Sequence, residues 1–282
     1  MTQIQFPAIP LTDWRDTRDT LAQYARVVGK IRRAVTPPQK HWWHVSLHVT
    51  AVGLTTTPLW SGGRMWEIVL NLAAHETQIT TSDGQQQTVP FTGQSAAVYD
   101  AQIKSTLQTL GLPTDFAQEL YSDAAGLYDP TAVSRFWQAL TQITAVFTTF
   151  KHSFRRESSP VQLWPHHFDL ALLWLSGRMV PDQDPSDLEY ADEQMNFGFV
   201  TGDDTLPEPY FYATAYPTPA EFTTQPLPNP AYWHTAGWTG AILPYAALTT
   251  AEKPQQLLLN FLQTAHHAGA SIMGIQQPEE LS

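Results

Sequence analysis

Ten histidines and no cysteine bound the chemistry open to this chain of 282 residues. Imidazole has an ordinary pKa near neutrality, so it can donate a proton, accept one or ligate a metal. Without a thiol there is no thiolate nucleophile, disulfide framework or Cys-type zinc site. The densest group is His44-Val-Ser46-Leu-His48. It lies in 43–54, where alternation predicts a strand with Trp43, Val45, Leu47 and Val49 on one face and His44, Ser46, His48 and Thr50 on the other. A second group is Trp164-Pro-His166-His167-Phe-Asp169, in which His167 and Asp169 share a face of a strand predicted over 167–175. A carboxylate beside an imidazole fixes its tautomer and raises its basicity. In the third, around Asp192, Glu193 and Asn196 offer an acid, a base or an oxygen ligand, and Gly198 marks a bulge or close approach. The fourth is aromatic: Tyr210, Tyr212, Thr214 and Tyr216 line one face of a strand predicted over 209–216. Such a wall stacks planar or sugar-like ligands and supplies hydroxyls for specificity. Each group also has a plain reading: a polar sheet face, an ordinary His–Asp hydrogen bond, a charged strand edge, or core packing.

Several elements must position these groups. A helix is predicted over 11–35, capped by Thr12 or Asp13, with Trp14, Leu21, Tyr24, Val28, Ile31 and Val35 facing the core. Arg15, Arg18, Arg26, Lys30 and Arg33 form a basic stripe on another face, and Pro37-Pro38 ends the helix. Strands follow at 65–72, 76–82 and 86–91, with Asp83-Gly84 as a hairpin turn. Further helices are predicted over 94–110, 130–153 and 254–268, and further strands over 194–201 and 239–244. The halves 11–112 and 130–270 read alike, and laying 41–47 over 164–170 sets His44 on His167 and Ser46 on Asp169. The predicted fold is therefore α+β: two similar helix–strand halves with mostly antiparallel sheets, packed into one domain over 1–282.

Charge and composition narrow the function classes. The net charge of −11 argues against a nucleic-acid partner, since such binders present a basic face. No apolar run reaches the roughly 20 residues of a membrane-spanning helix. The N-terminal stretch lacks a basic region followed by an apolar one, so a cytoplasmic location is expected. Residues 1–40 nonetheless hold seven of the 15 bases and three acids. No GxGxxG, P-loop, GxSxG or HExxH pattern occurs, so no cofactor is named.

Trp14-Arg-Asp-Thr-Arg-Asp-Thr-Leu21, Val28-Gly-Lys-Ile-Arg32, His41-Trp-Trp-His44, Val49-Thr50, Gly53-Leu-Thr-Thr56, Ser159-Pro-Val161, Phe168-Asp-Leu-Ala171, Ser176-Gly-Arg178, Phe211-Tyr212, Ala215-Tyr-Pro217 and Leu243-Pro-Tyr245 carry a resemblance over nearly the whole chain. They resemble a bacterial family of uncharacterised proteins, catalogued as a domain of unknown function. The resemblance implies a single family-length domain and a bacterial origin, and brings no activity. In the family pattern His48 is often a tyrosine and His167 a serine, which moves weight toward His44, Asp169, Arg15 and Lys30. A weaker resemblance is to two-histidine phosphoesterases: His44-Val-Ser46 and His48-Val-Thr50 fit their motif, while His167-Phe-Asp169 lacks the hydroxyl.

The leading expectation is a small-molecule binder or enzyme whose ligand is anionic or sugar-like. Its pocket lies between the halves and is lined by Trp43, His44, Ser46, His48, His167, Asp169, Glu193, Tyr210 and Tyr212. If it is catalytic, His44 is the acid–base group and Asp169 orients it, with His167 facing them and Arg15 or Lys30 neutralising an anionic substrate. One alternative is a metal-dependent or two-histidine hydrolase using His44, His48 and His167. Another is a non-enzymatic module that meets a protein partner.

Overall fold

A computed structural model describes residues 6–117 and 119–275. It has a mixed α+β fold with antiparallel strands. Its contacts cluster into two compact units, one formed by 11–137 with 163–168, the other by 6–10, 138–162 and 169–275. No described helix is long and apolar enough to cross a membrane.

In the first unit a 3-10 turn (Leu11–Asp13) leads into α1 (Arg15–Val35). The predicted side-chain cap is not made: Trp14 holds the cap position and no side chain closes it. The predicted apolar face is buried, with Leu21, Tyr24 and Val28 fully enclosed and Ile31 nearly so. Tyr24 stacks on Tyr99 of α2 (Ala96–Thr109), ring centroids 4.1 Å apart. The 43–54 segment departs most from expectation. Residues Lys40–Val45 form a 3-10 turn with His41 and Trp42 at positive φ. Only then come the short strands β1 (Leu47–Val49) and β2 (Gly53–Thr55), which pair with each other. The carbonyls of Trp43 and Ser46 accept hydrogen bonds from the Arg32 guanidinium instead of joining a ladder. One buried cation thus turns the predicted strand into a turn and a hairpin. β2 continues onto β4 (Arg64–Asn71), and Gly53 is required there, because a Cβ would stand 1.9 Å from the Leu70 carbonyl oxygen. The hairpin β3 (Leu59–Ser61) pairs with β4, and β5 (Glu76–Thr81) and β6 (Gln86–Pro90) complete the ladder through the predicted Asp83-Gly84 turn, with Gly84 at φ 84°.

Helix α3 (Pro130–His152) gives its first residues to this unit and the rest to the other. The strand β7 (Gln162–Trp164) and the turn at 165–168 follow. The predicted strand over 167–175 begins later, as β8 (Asp169–Met179), so His167 lies in the turn and shares no strand face with Asp169. The matched segments 41–47 and 164–170 therefore have different local structures.

The second unit is a ladder of β8, β9 (Asp192–Val200), β10 (Tyr210–Tyr216), β12 (Gly240–Pro244) and the edge strand β11 (Tyr232–His234). Its register places Leu170, Phe199, Phe211 and Leu243 in one row of one face. The later part of α3 packs on that face through Phe150 and Phe197, 4.9 Å apart. Helix α4 (Ala246–Thr250) leads to α5 (Pro254–Ile272), which inserts His266 among Phe150, Phe154, Trp174 and Phe197.

His266 is 8% exposed, and burial together with the adjacent His267 pushes its pKa down to about 3. The unfolded chain therefore binds a proton below pH ~6.5 that the folded chain refuses, and stability falls as pH drops toward that value. Wild-type protein should lose about 2 kcal/mol more between pH 7 and pH 5 than His266→Leu, read as urea midpoints. Equal losses would show that His266 is not excluded from protonation.

Candidate functional site

The sequence-predicted residues fall into two sets. Arg15, Lys30, Trp43, His44, Ser46, His48 and His167 belong to the first unit, and Asp169, Glu193, Tyr210 and Tyr212 to the second. Each set is built within its own unit.

In the first, the spacing of Arg26, Lys30 and Arg33 puts three cations on one face of α1. Arg32 points the other way. It is 5% exposed, burial pulls its pKa down to about 10, and it donates to the carbonyls of Trp43 (3.0 Å) and Ser46. It also donates to the Ser46 hydroxyl at 3.1 Å. That hydroxyl in turn donates to the Trp43 carbonyl at 3.0 Å. Ser46, expected to line a ligand pocket, is here a brace of the turn. The turn carries a stack: the Arg33 guanidinium lies 5.1 Å from the Trp42 ring, and the His44 ring lies 5.6 Å from Trp42 at 27°. Beside it, the Lys40 ammonium lies 5.6 Å from the Trp43 ring.

His44 is buried, and its Nδ1 accepts the Gln39 backbone N–H at 3.1 Å, which places the ring proton on Nε2. Burial first, then Arg33 and Arg32, lower its pKa. Burial and Arg32 push His48 down to about 4. Both imidazoles are neutral at pH 7. The Gln39 amide orients His44, a role the sequence had suggested for Asp169.

The turn at 165–168 docks on α1 because Gly29 leaves room: a Cβ there would stand 2.6 Å from Pro165 Cγ. Phe168, at φ 56°, is buried against Phe136, and His166 and His167 are exposed with rings 4.4 Å apart. The charges of Arg26 and Lys30 reach His166. Lys30 is ion-paired with Glu119 at 2.7 Å. Arg15, eleven positions before Arg26 at about 1.5 Å per residue, stands roughly 16 Å along the helix from this cluster. Among the described residues no group of three or more His, Asp or Glu side chains is placed to hold a metal ion, so the set expected from His44, His48 and His167 is not assembled. A separate cleft of about 330 Å³ is lined by Asp16, Asp19, Gln23, Gln94 and Ser95, none of them a sequence candidate.

In the second unit Tyr212 donates to Asp169 Oδ2 at 2.7 Å and accepts from the Asn196 amide at 3.3 Å. Its ring fills the space above Gly198, where a Cβ would stand 2.2 Å from Cζ. Tyr210 donates to Asp203 Oδ2 at 2.6 Å. Burial, then the neighbouring carboxylates, push both phenols above their ordinary range, so they act as neutral donors. Glu193 is held by two 2.9 Å bonds from Arg178, which also donates to the Met273 carbonyl. The Arg178 guanidinium, held by that carboxylate, clasps the end of α5.

Sequence reasoning found the basic stripe and missed Arg32, Trp42 and Glu119. The Arg32-Arg33 pair was the available signal, since adjacent helical residues point about 100° apart and one must turn inward when the other faces solvent.

Replacing Arg32 with methionine should cost about 2–4 kcal/mol in urea unfolding, because the Trp43 and Ser46 carbonyls lose a buried charged donor. A loss under ~0.5 kcal/mol would show that the turn holds without it.

The profile described as "Family of unknown function (DUF5996)" matches residues 6–280. No curated protein and no solved structure matches the chain.

Proposed function

The chain thus belongs to the DUF5996 family, a family of unknown function, and we propose from its residues that it binds a small anionic ligand on the basic face of α1. One observation carries this reading. Arg26, Lys30 and Arg33 share a helix face with His166 beside them, in a chain whose net charge is −11. Like charges brought together cost energy unless anions join them, and the single carboxylate of Glu119 on Lys30 leaves the three-cation face net positive. Arg33 is the best-placed donor: its guanidinium rests on Trp42, so little side-chain freedom remains to be lost on binding. His44 also stacks on Trp42 and helps fix that ring.

The reading assigns no bond-breaking step. Ser46 and Tyr212 are engaged in hydrogen bonds, and burial, then the charges of Arg33 and Arg32, lower the pKa of His44. It places the protein in a bacterial cytoplasm, where phosphorylated and carboxylated metabolites supply ligands of this class.

Calorimetric titration with inorganic pyrophosphate tests the site. Wild-type protein at 50 mM salt is expected to bind with Kd between about 10 μM and 1 mM, more weakly at 300 mM, as screening requires. The Arg26→Ala/Arg33→Ala variant should bind at least about tenfold more weakly, with an unchanged urea midpoint. Absent or unaltered binding would overturn the proposal.

A further inference from the structure

Glu119 lies on the segment 112–129 between α2 and α3, whose described residues form no helix or strand. Stretches of this length without secondary structure are uncommon in compact folds and tend to be functional. The segment follows α1 in the opposite direction: Glu119 meets Lys30, Gly126 lies against Thr20, and the Asp129 N–H donates to the Thr17 hydroxyl at 3.0 Å.

Its two ends are fastened differently. From residue 122 onward backbone bonds hold it: Ala97 N–H to the Ser122 carbonyl at 3.2 Å and Gly126 N–H to the Gly93 carbonyl at 2.9 Å. Gly126 is also a tight fit, since a Cβ would stand 2.0 Å from the Thr20 hydroxyl. Among the described residues of 113–121 the hydrogen-bonded tie to α1 is the Lys30–Glu119 ion pair, both side chains 38% exposed; Leu120 beside it is fully exposed, and the half-buried Tyr121 feels the charge of Arg26. A pair this exposed contributes at most about 1 kcal/mol. The cations around it are the ones assigned to the anion site: Lys30 bonds the carboxylate, and the charges of Arg26 and Arg33 reach it too.

We propose that Glu119 is a built-in competitor, its carboxylate occupying the anion position on α1 until a small carboxylate- or phosphate-bearing ligand displaces it and releases 113–121. This rests on the reading of that face as an anion site. It also gives the site a selectivity. A ligand must displace a carboxylate already held at high local concentration, which handicaps weakly charged molecules about fivefold relative to polyanions that also engage Arg26 and Arg33.

The experiment uses the full chain and inorganic pyrophosphate. Glu119→Gln should bind pyrophosphate about three- to fivefold more tightly than wild type, whereas Asp115→Asn, which removes a charge from the same segment, should change affinity less than twofold. Chymotrypsin cleavage after Phe116 or Tyr121 should be accelerated by pyrophosphate in wild-type protein and be fast without it in Glu119→Gln. If wild type binds pyrophosphate while Glu119→Gln binds no tighter and is cleaved no faster, the competitor role is overturned and the anion site stands. If neither protein binds, the anion site itself has failed and the competitor with it.

Discussion

The first unit depends on one buried cation. Moving the Arg32 guanidinium out of water costs several kcal/mol, and only hydrogen bonds with good geometry recover that cost. Here they come from backbone: the Trp43 and Ser46 carbonyls, with the Ser46 hydroxyl between them. Those acceptors are withdrawn from any sheet, so the chain at 40–45 must curl, and His41 and Trp42 take left-handed backbone angles that few L-residues adopt. The curl sets Trp42 within stacking distance of both His44 and Arg33. The geometry of the exposed cations follows from the burial of their neighbour.

This also explains what could be read in advance. Helix α1, the Asp83-Gly84 hairpin, α2 and the strand Tyr210–Tyr216 were legible because each is decided locally, by periodicity or turn chemistry. The segment 43–54 alternates as a strand does, yet its carbonyls answer to a residue eleven positions earlier in α1. No window of local pattern contains that contact. His167 was misplaced for a similar reason: Phe168 must adopt φ 56° to bury its ring against Phe136, and that ends the turn one residue after the histidine. The candidate site was legible in part. The basic stripe stood in the spacing of Arg26, Lys30 and Arg33, whereas the acid that meets it, Glu119, lies 89 positions from Lys30 with no motif around it.

Electrostatics assigns the histidines their roles. In an acidic chain imidazoles are commonly drawn toward protonation, yet burial and nearby arginines lower His44, and burial with Arg32 lowers His48. A neutral imidazole with Nδ1 occupied keeps one donor and no basic lone pair, so it serves as a shaped, polar packing group. The tyrosines of β10 are similar: carboxylates at 2.6 and 2.7 Å hold Tyr210 and Tyr212 as donors rather than bases.

Under the proposed anion-binding reading, the cations must be held in place before the ligand arrives. Arg33 rests on an indole face and Lys30 is paired with a carboxylate, so both side chains have lost freedom in the chain itself. Gly29 completes the arrangement, since any larger residue would push Pro165 away and carry His166 off the face. The site is thus defined by where side chains are denied freedom, and the sequence shows this mainly as two unremarked choices: an arginine on the apolar side of a helix and a glycine two turns from its end.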